Sequence, residues 1–191
     1  MNILIDELPK GVYIDDIPYS INTDFRVSIL FSMLIDDKEI DDNLKFNKII
    51  ELYYPKKPHN LNKAFEIIMW FYRCGKEDNK KNNNKSNNII LDYEVDADYI
   101  YSAFMSQYKI DLQDIDYLHW WKFRSLFDNL TEDNRIVEIM KYRSIDLSKI
   151  KDKNEKDFYK KMKDLYKIEK EEEVTEADKQ ALEEMRKKLG V

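Results

Sequence analysis

Two histidines and one cysteine are the side chains of this sequence best suited to metal binding or nucleophilic chemistry. They are His59, His119 and Cys74. The histidines lie on different predicted helices and form no His-Glu-x-x-His pair, so a site built from two or three histidines is excluded unless carboxylates supply the remaining ligands. We expect the His119 ring to be partly buried and bonded to a carbonyl or a carboxylate. For Cys74 we expect a buried structural thiol.

An acidic run is the next candidate site, because carboxylates at every second position are typical of calcium loops. The run contains Asp92, Glu94, Asp96 and Asp98. It lacks the glycine that makes the sharp turn of such a loop, and Ala103 occupies the twelfth position, where a bidentate glutamate is needed. We therefore expect Asp96 to cap the fourth predicted helix, with its acidic neighbours near the positive end of the helix dipole.

Phosphate-binding loops and activated nucleophiles leave sequence motifs that can be searched for directly. The chain has three glycines in total, and it contains no G-x-x-x-x-G-K, G-x-G-x-x-G or G-x-S-x-G motif. No pair of carboxylates is singled out as a general acid and base. The sequence therefore predicts no catalytic residues, no cofactor and no metal, which indicates a binding protein rather than an enzyme.

The composition favours a helical protein with a substantial core. Of the 191 residues, 43% are hydrophobic and 13% aromatic, whereas three glycines and four prolines are too few for the many turns of a β-sandwich or barrel. The net charge of −6 comes from 38 acidic and 32 basic residues that are interspersed. We therefore expect no nucleic-acid binding, with an acidic patch that mimics nucleic acid as a minor alternative. We also expect no membrane insertion, because no stretch approaches the ~18 apolar residues needed.

Periodicity and capping residues predict a mainly α fold, a compact domain of about six to eight helices with a short N-terminal β-hairpin or extended arm. The hairpin is predicted at 12–19, around the turn Asp15-Asp16. We expect Thr23 to cap the first helix and Thr131 to cap the sixth. The helices are predicted at about 23–35, 41–54, 60–74, 95–108, 112–130, 131–142, 152–169 and 175–189.

Two segments differ in composition from the rest of the chain. Residues 77–88 contain no apolar side chain and are rich in asparagine and lysine, so we expect a flexible loop. Residues 89–91 then form a short strand or simply re-enter the fold. Residues 170–191 are highly charged with one narrow apolar stripe, which predicts a C-terminal helical extension to a domain at 1–169.

The first and fifth predicted helices carry apolar residues on nearly every side. We expect the first helix to be buried on most sides. For the fifth helix three explanations stay open: a central core helix, an interface with a partner, or both. Surplus apolar surface on the first, third and fifth helices could supply grooves for a partner.

Five blocks, most of them rich in aromatic residues, add information that periodicity does not contain. In chain order they are INTDFR (21–26), MWFYRCGK (69–76), DADYIYSAF (96–104), YLHWWKFRSLF (117–127) and YRSIDLSKI (142–150). Together they resemble the "gene product fifteen" family of phages that infect Gram-positive bacteria, over about residues 1–168. The loop at 77–88 looks like a local elaboration of that family, and the helix at 175–189 extends beyond its usual end.

This resemblance implies a non-catalytic tail-assembly chaperone of long-tailed phages. Such a protein would bind the tape-measure protein, with the tail-tube protein and a second tail-assembly chaperone as further candidate partners. It would act in the host bacterial cytoplasm and be absent from the mature virion. The main alternative is a structural tail-completion or connector subunit, which would be found in purified particles. A phage enzyme or host-takeover factor is the third hypothesis.

Candidate partner contacts come from tryptophan, tyrosine and arginine, the side chains that dominate binding hot spots. They are Trp70, Tyr72, Trp120, Trp121 and Arg124. For each tryptophan, a place in the core is the competing explanation.

Overall fold

The computed structural model describes residues 2–77 and 89–168. Within them the fold is mainly α, with seven α-helices and one two-stranded hairpin, which confirms the predicted fold class. The hairpin strands are β1 (Gly11–Ile14) and β2 (Ile17–Ser20). The helices are α1 (Phe25–Asp36), α2 (Asp42–Tyr53), α3 (Leu61–Tyr72), α4 (Ala97–Tyr108), α5 (Trp120–Asp128), α6 (Arg135–Ser144) and α7 (Lys153–Leu165), with a short 3₁₀ turn at Leu147–Lys149.

Three predictions concern the segments around the undescribed residues. The predicted flexible loop at 77–88, apart from its first residue, lies outside the described residues. The same is true of the predicted C-terminal extension at 170–191. Residues 89–91 are described, and they re-enter the fold without forming a strand.

The N-terminal hairpin forms around the predicted aspartate pair. The strands are antiparallel, with Ile14 opposite Ile17 at the end next to the turn. Asp15 and Asp16 have φ values of 48° and 63°, and a two-residue type I′ turn requires positive φ at both positions. Aspartate tolerates this left-handed conformation better than most residues do, so the local sequence specifies the turn.

A cluster of polar contacts attaches the hairpin turn to the start of α3. The Asp15 carboxylate accepts hydrogen bonds from Lys63 Nζ at 2.8 Å and from Asn60 Nδ2 at 2.9 Å. It also lies 3.1 Å from Nε2 of His59, whose side chain is exposed. The Lys63 bond, followed by that of Asn60, lowers the pKa of Asp15 to about 2. The hairpin is therefore fixed by charge at its turn as well as by apolar packing.

Stacked aromatic rings form the centre of the core. Phe123 of α5 is fully buried, and its ring stacks on Phe25 of α1 and on Phe104 of α4, with 4.9 Å between ring centroids in both pairs. Trp120 stacks on Phe123 from within α5, at 5.6 Å. Offset stacking of this kind stabilises a core beyond the effect of the buried area alone. These rings of α5 therefore belong to the core, which was the first of the three explanations left open for this helix.

The fifth helix begins at Trp120, so the predicted start at Leu112 is wrong. The guanidinium of Arg26 explains the difference, because its Nη2 donates to the carbonyls of Leu112 at 3.0 Å and Ile115 at 2.7 Å. These carbonyls would otherwise be satisfied within a helix. The segment before α5 therefore forms turns around a side chain of α1.

Two predicted helix caps are also wrong. Asp24 caps α1, since its carboxylate accepts the N–H two residues further on at 3.0 Å. The Thr23 hydroxyl instead bonds the phenol of Tyr117 at 2.7 Å. Asn134 occupies the cap position of α6 and makes no side-chain cap bond; its Nδ2 donates to the Thr131 carbonyl at 3.2 Å. At α1 the neighbouring Asp24 takes the capping position from Thr23, whereas α6 begins after Asn134 and has no side-chain cap.

A buried ion pair joins α4 to α6. The carboxylate of Asp96 accepts two hydrogen bonds from Arg143, at 2.6 and 3.0 Å, and the two side chains are 0% and 4% exposed. Asp96 stands at the cap position of α4, as predicted, but it makes no side-chain cap bond there. The predicted capping role is therefore wrong, because the buried guanidinium takes the carboxylate.

Candidate partner-binding site

Two faces of α1 have different environments. Phe25, Ser28 and Phe31 point into the core and are buried. Leu30 and Met33, spaced i, i+3 on the other side of the helix, are not fully buried, and Leu30 is 51% exposed. Met33 is partly buried against the core, so the expectation that this helix is buried on most sides holds except at Leu30 and Ile35, where apolar surface is accessible.

This second face lines a cavity of about 420 Å³, which we call the α1 groove. The opposite wall is the segment that leads into α4, residues 91–94. The apolar lining consists of Leu30, Met33, Leu34, Leu91 and Tyr93. A surplus apolar face on the first helix was predicted to supply a groove, and the structure places one there.

Four carboxylates also line the groove: Asp36, Asp37, Asp92 and Glu94. Two of them are held by backbone N–H groups. Asp37 accepts from the N–H of Glu39 at 2.8 Å, and Asp92 accepts from the N–H of Glu94 at 2.8 Å. The last turn of α1 carries no basic residue, so the negative end of its dipole adds to the same potential. The lining of the α1 groove thus combines apolar side chains with four carboxylates.

The second wall of the groove is tied to the buried ion pair. Arg143 Nη1 donates to the carbonyl of Ile90 at 3.2 Å, and the N–H of Asp92 donates to the Asp96 carboxylate at 3.0 Å. Because both partners of the pair also bind this wall, its backbone is fixed relative to α4 and α6. The groove is therefore formed before any ligand arrives.

Tyr93 connects the groove to three of the predicted contact residues. Its hydroxyl accepts a hydrogen bond from Arg124 Nη1 at 3.3 Å, and its ring lies edge-on to Trp120 at 6.5 Å. Tyr72 stacks on the other side of that indole at 5.3 Å. Burial raises the pKa of Tyr93 to about 12, so its phenol stays protonated at neutral pH. Arg124 and Trp120 thus contact Tyr93, which lines the groove, and Tyr72 packs against Trp120.

The other two predicted contacts lie together at the end of α3. Trp121 is 5% exposed, and its Nε1 donates to the Phe71 carbonyl at 2.8 Å. Trp70 is 38% exposed and packs edge-on against Trp121 at 5.5 Å. The backbone of Gly75, which has φ +72°, lies close to the Trp121 ring, because a Cβ at this position would be 3.0 Å from that ring. Partner binding by the five residues stays a prediction, and burial makes Trp70 the tryptophan that a partner could reach.

The sequence singled out His119 and Cys74 as candidates for chemistry, and the structure shows what surrounds each of them. His119 is 2% exposed; its Nδ1 accepts from the N–H of Trp121 at 3.0 Å, and its Nε2 donates to the Pro9 carbonyl at 3.1 Å. The expected buried, carbonyl-bonded histidine is confirmed, and burial lowers its pKa. Cys74 is partly buried against the core, less than the expected buried thiol. Burial raises the pKa of its thiol to about 11, which keeps it protonated. In the described part of the chain, no group of histidine, cysteine and acidic side chains is arranged to hold a metal ion.

Sequence reasoning did not single out the groove residues themselves. The sequence carried a usable signal at Leu30 and Met33. When a helix has apolar residues on every side, they cannot all face the same core. Asp36 and Asp37 carried another, since acidic residues at a helix C-terminus oppose the dipole. Tyr93 carried none, because its contacts depend on residues distant in the sequence.

Comparison with known proteins identifies a family. A family model described as "Bacteriophage Gp15 protein" matches residues 4–168. No curated protein and no solved structure matches the chain. None of the helices in residues 2–77 and 89–168 combines the length and apolar character needed to cross a membrane. Because the family model covers most of the 191 residues, the chain belongs to the bacteriophage Gp15 protein family.

Proposed function

We propose that this protein is a non-catalytic tail-assembly chaperone or adaptor that binds the phage tape-measure protein during tail morphogenesis. Tail-tube subunits are a second class of partner in this proposal, and the protein acts in the host cytoplasm and leaves before the virion is complete. Membership of the bacteriophage Gp15 protein family indicates a phage structural or morphogenesis protein. The observation that carries the narrower role is the α1 groove.

The geometry of the groove supports a role in holding another protein. A chaperone for a long helical protein needs an apolar surface that is open to solvent and does not collapse when empty. Leu30 supplies exposed apolar area, and the contacts of Arg143 and Asp92 fix the opposite wall. A preformed site loses less conformational entropy on binding than one that must first order itself.

The environments of the reactive side chains support the non-catalytic part of the proposal. A nucleophilic cysteine needs a lowered pKa, whereas burial raises that of Cys74. A general base needs a free nitrogen within reach of substrate, whereas both ring nitrogens of His119 bind the backbone. Both side chains are accounted for by packing.

Co-expression with the tape-measure protein of the same phage tests this function. The complex would be purified by size-exclusion chromatography with light scattering, beside the tape-measure protein expressed alone. We expect the tape-measure protein to be insoluble alone and to co-elute with this chain at a fixed stoichiometry. If the two do not associate and the chain is instead found in purified virions, the protein is a tail-completion or connector subunit.

A further inference from the structure

We infer that the α1 groove binds an amphipathic α-helix whose apolar stripe is flanked by lysine or arginine. The inference deepens the proposed function and rests on it for the biological setting, while the chemistry of the partner follows from the groove itself. Helix-in-groove recognition places apolar anchors at i, i+3, i+4 and i+7 into an apolar cleft. The groove offers apolar side chains for such anchors and carboxylates beside them.

The apolar part of the groove fits side chains from one face of a helix. Leu30, Met33 and Leu34 line one wall, and Leu91 and Tyr93 line the other. The volume of about 420 Å³ has room for a few large aliphatic anchors. An extended polar segment or a nucleic acid would leave these apolar groups without partners.

The negative charge of the lining favours a basic partner. Asp36 and Asp37 stand at the C-terminal end of α1, where the helix dipole disfavours acidic residues. The local sequence therefore opposes the stability of the helix that carries it, and such conflicts are expected at functional positions. Asp92 and Glu94 face the same cavity from the other wall. Lysine or arginine on both sides of an apolar stripe would complement the two walls together.

Fluorescence anisotropy with two synthetic peptides tests the inference on the full-length chain. Each peptide has about 18 residues, enough to populate an isolated helix, and both carry the same leucine stripe. One has lysines beside the stripe, and the other has glutamates in their place. We expect the lysine peptide to bind at least about tenfold more tightly at low ionic strength, with the difference shrinking as salt is added.

Matched variants locate the binding surface. Leu30→Asn removes an apolar side chain from the groove, whereas Leu44→Asn makes the same change on α2, where the leucine is 49% exposed. We expect Leu30→Asn to weaken the lysine peptide by about tenfold, the factor for losing one apolar anchor, and Leu44→Asn to leave it unchanged. Asp36→Asn with Glu94→Gln should weaken it about fivefold. Asp42→Asn with Glu51→Gln, which removes two charges from α2, should not.

Three results would overturn the inference. One is equal binding of the two peptides. Another is an equal loss of affinity in the groove variants and their α2 controls, because the attraction would then come from overall charge. The third is concentration-dependent self-association that Leu30→Asn abolishes, which would make a second copy of this chain the occupant.

The same variants separate this inference from the proposed function. If the tape-measure protein co-elutes with Leu30→Asn as it does with the unchanged protein, the groove is not the docking site, although the chaperone role stands. If the lysine peptide binds in the groove and the tape-measure protein does not associate, the proposed function fails and the preference of the groove stands.

Discussion

Helices α1 and α5 have similar sequence patterns and different environments. Both have apolar residues on nearly every side. In α5, four of nine residues are buried, including Trp120 and Phe123, whereas in α1 three of twelve are. The aromatic rings of α5 contact α1, α3 and α4, whereas the aliphatic second face of α1 meets an open cavity.

The difference shows which all-round apolar helix is a core and which presents a docking face. Large flat rings can stack on neighbours in several directions and carry N–H groups that bind carbonyls, as Trp120 does with Tyr72 at 2.9 Å. Leu30 has neither property, and acidic residues end its helix. Aromatic content therefore distinguishes the two cases better than apolar periodicity does, whereas the charge at the helix end does not, because α5 also ends on an acidic residue, Asp128.

The largest expected effect tests this comparison directly. Trp120→Ala should lower the free energy of unfolding by about 3–5 kcal/mol, because it removes a fully buried indole and leaves a cavity. Leu30→Ala should lower it by less than ~0.5 kcal/mol, as expected for a surface substitution. Urea unfolding followed by circular dichroism measures both. Similar losses in the two variants would mean that α1 is as much a core helix as α5.

A second prediction concerns the ion pair that fixes the groove wall. Asp96→Asn should cost about 3 kcal/mol, because the buried guanidinium of Arg143 loses its charged partner. The control is Asp128→Asn, which breaks the Arg124–Asp128 pair at 3.0 Å, where the aspartate is 43% exposed. That change should cost no more than ~1 kcal/mol. Thermal unfolding measures the loss of stability in both variants. Equal losses would contradict this view of the ion pair.

The sequence predicted the fold better than it predicted the site. Local signals were sufficient at Asp15 and Asp16, where two adjacent aspartates mark the hairpin turn. They failed where the partner is distant. Arg26 bonds carbonyls 86 and 89 residues away, so the start of α5 could not be read from its own neighbourhood. The groove likewise depends on which face of α1 the aromatic core covers.

The hairpin provides a third test, away from both helices. The pKa of Asp15 is lowered to about 2 from 3.8, chiefly by its bond to Lys63. A lowered folded-state pKa contributes stability above pH 3.8 and loses it as the pH falls towards 2. The stability difference between the unchanged protein and Asp15→Asn should therefore shrink across about pH 4 to 2. Asp16→Asn, at the neighbouring left-handed position, corrects for the backbone effect. A difference constant with pH would contradict the role of Asp15.

The smallest expected effect separates docking from stability on α1 itself. Asp36→Asn removes a negative charge from the last turn of the helix, which should raise the free energy of unfolding by about 0.3–1 kcal/mol. Asp42→Asn removes one from the first turn of α2, where it favours the dipole, and should lower stability by a similar amount. Urea unfolding and binding of the lysine peptide would be measured on the same samples. If α1 is only a core helix, Asp36→Asn should raise the free energy of unfolding and leave peptide affinity unchanged. If α1 presents a docking face, the same change should raise the free energy of unfolding and lower the affinity. Asp36→Asn that is more stable and binds equally well would therefore remove the reason for an acidic end on α1.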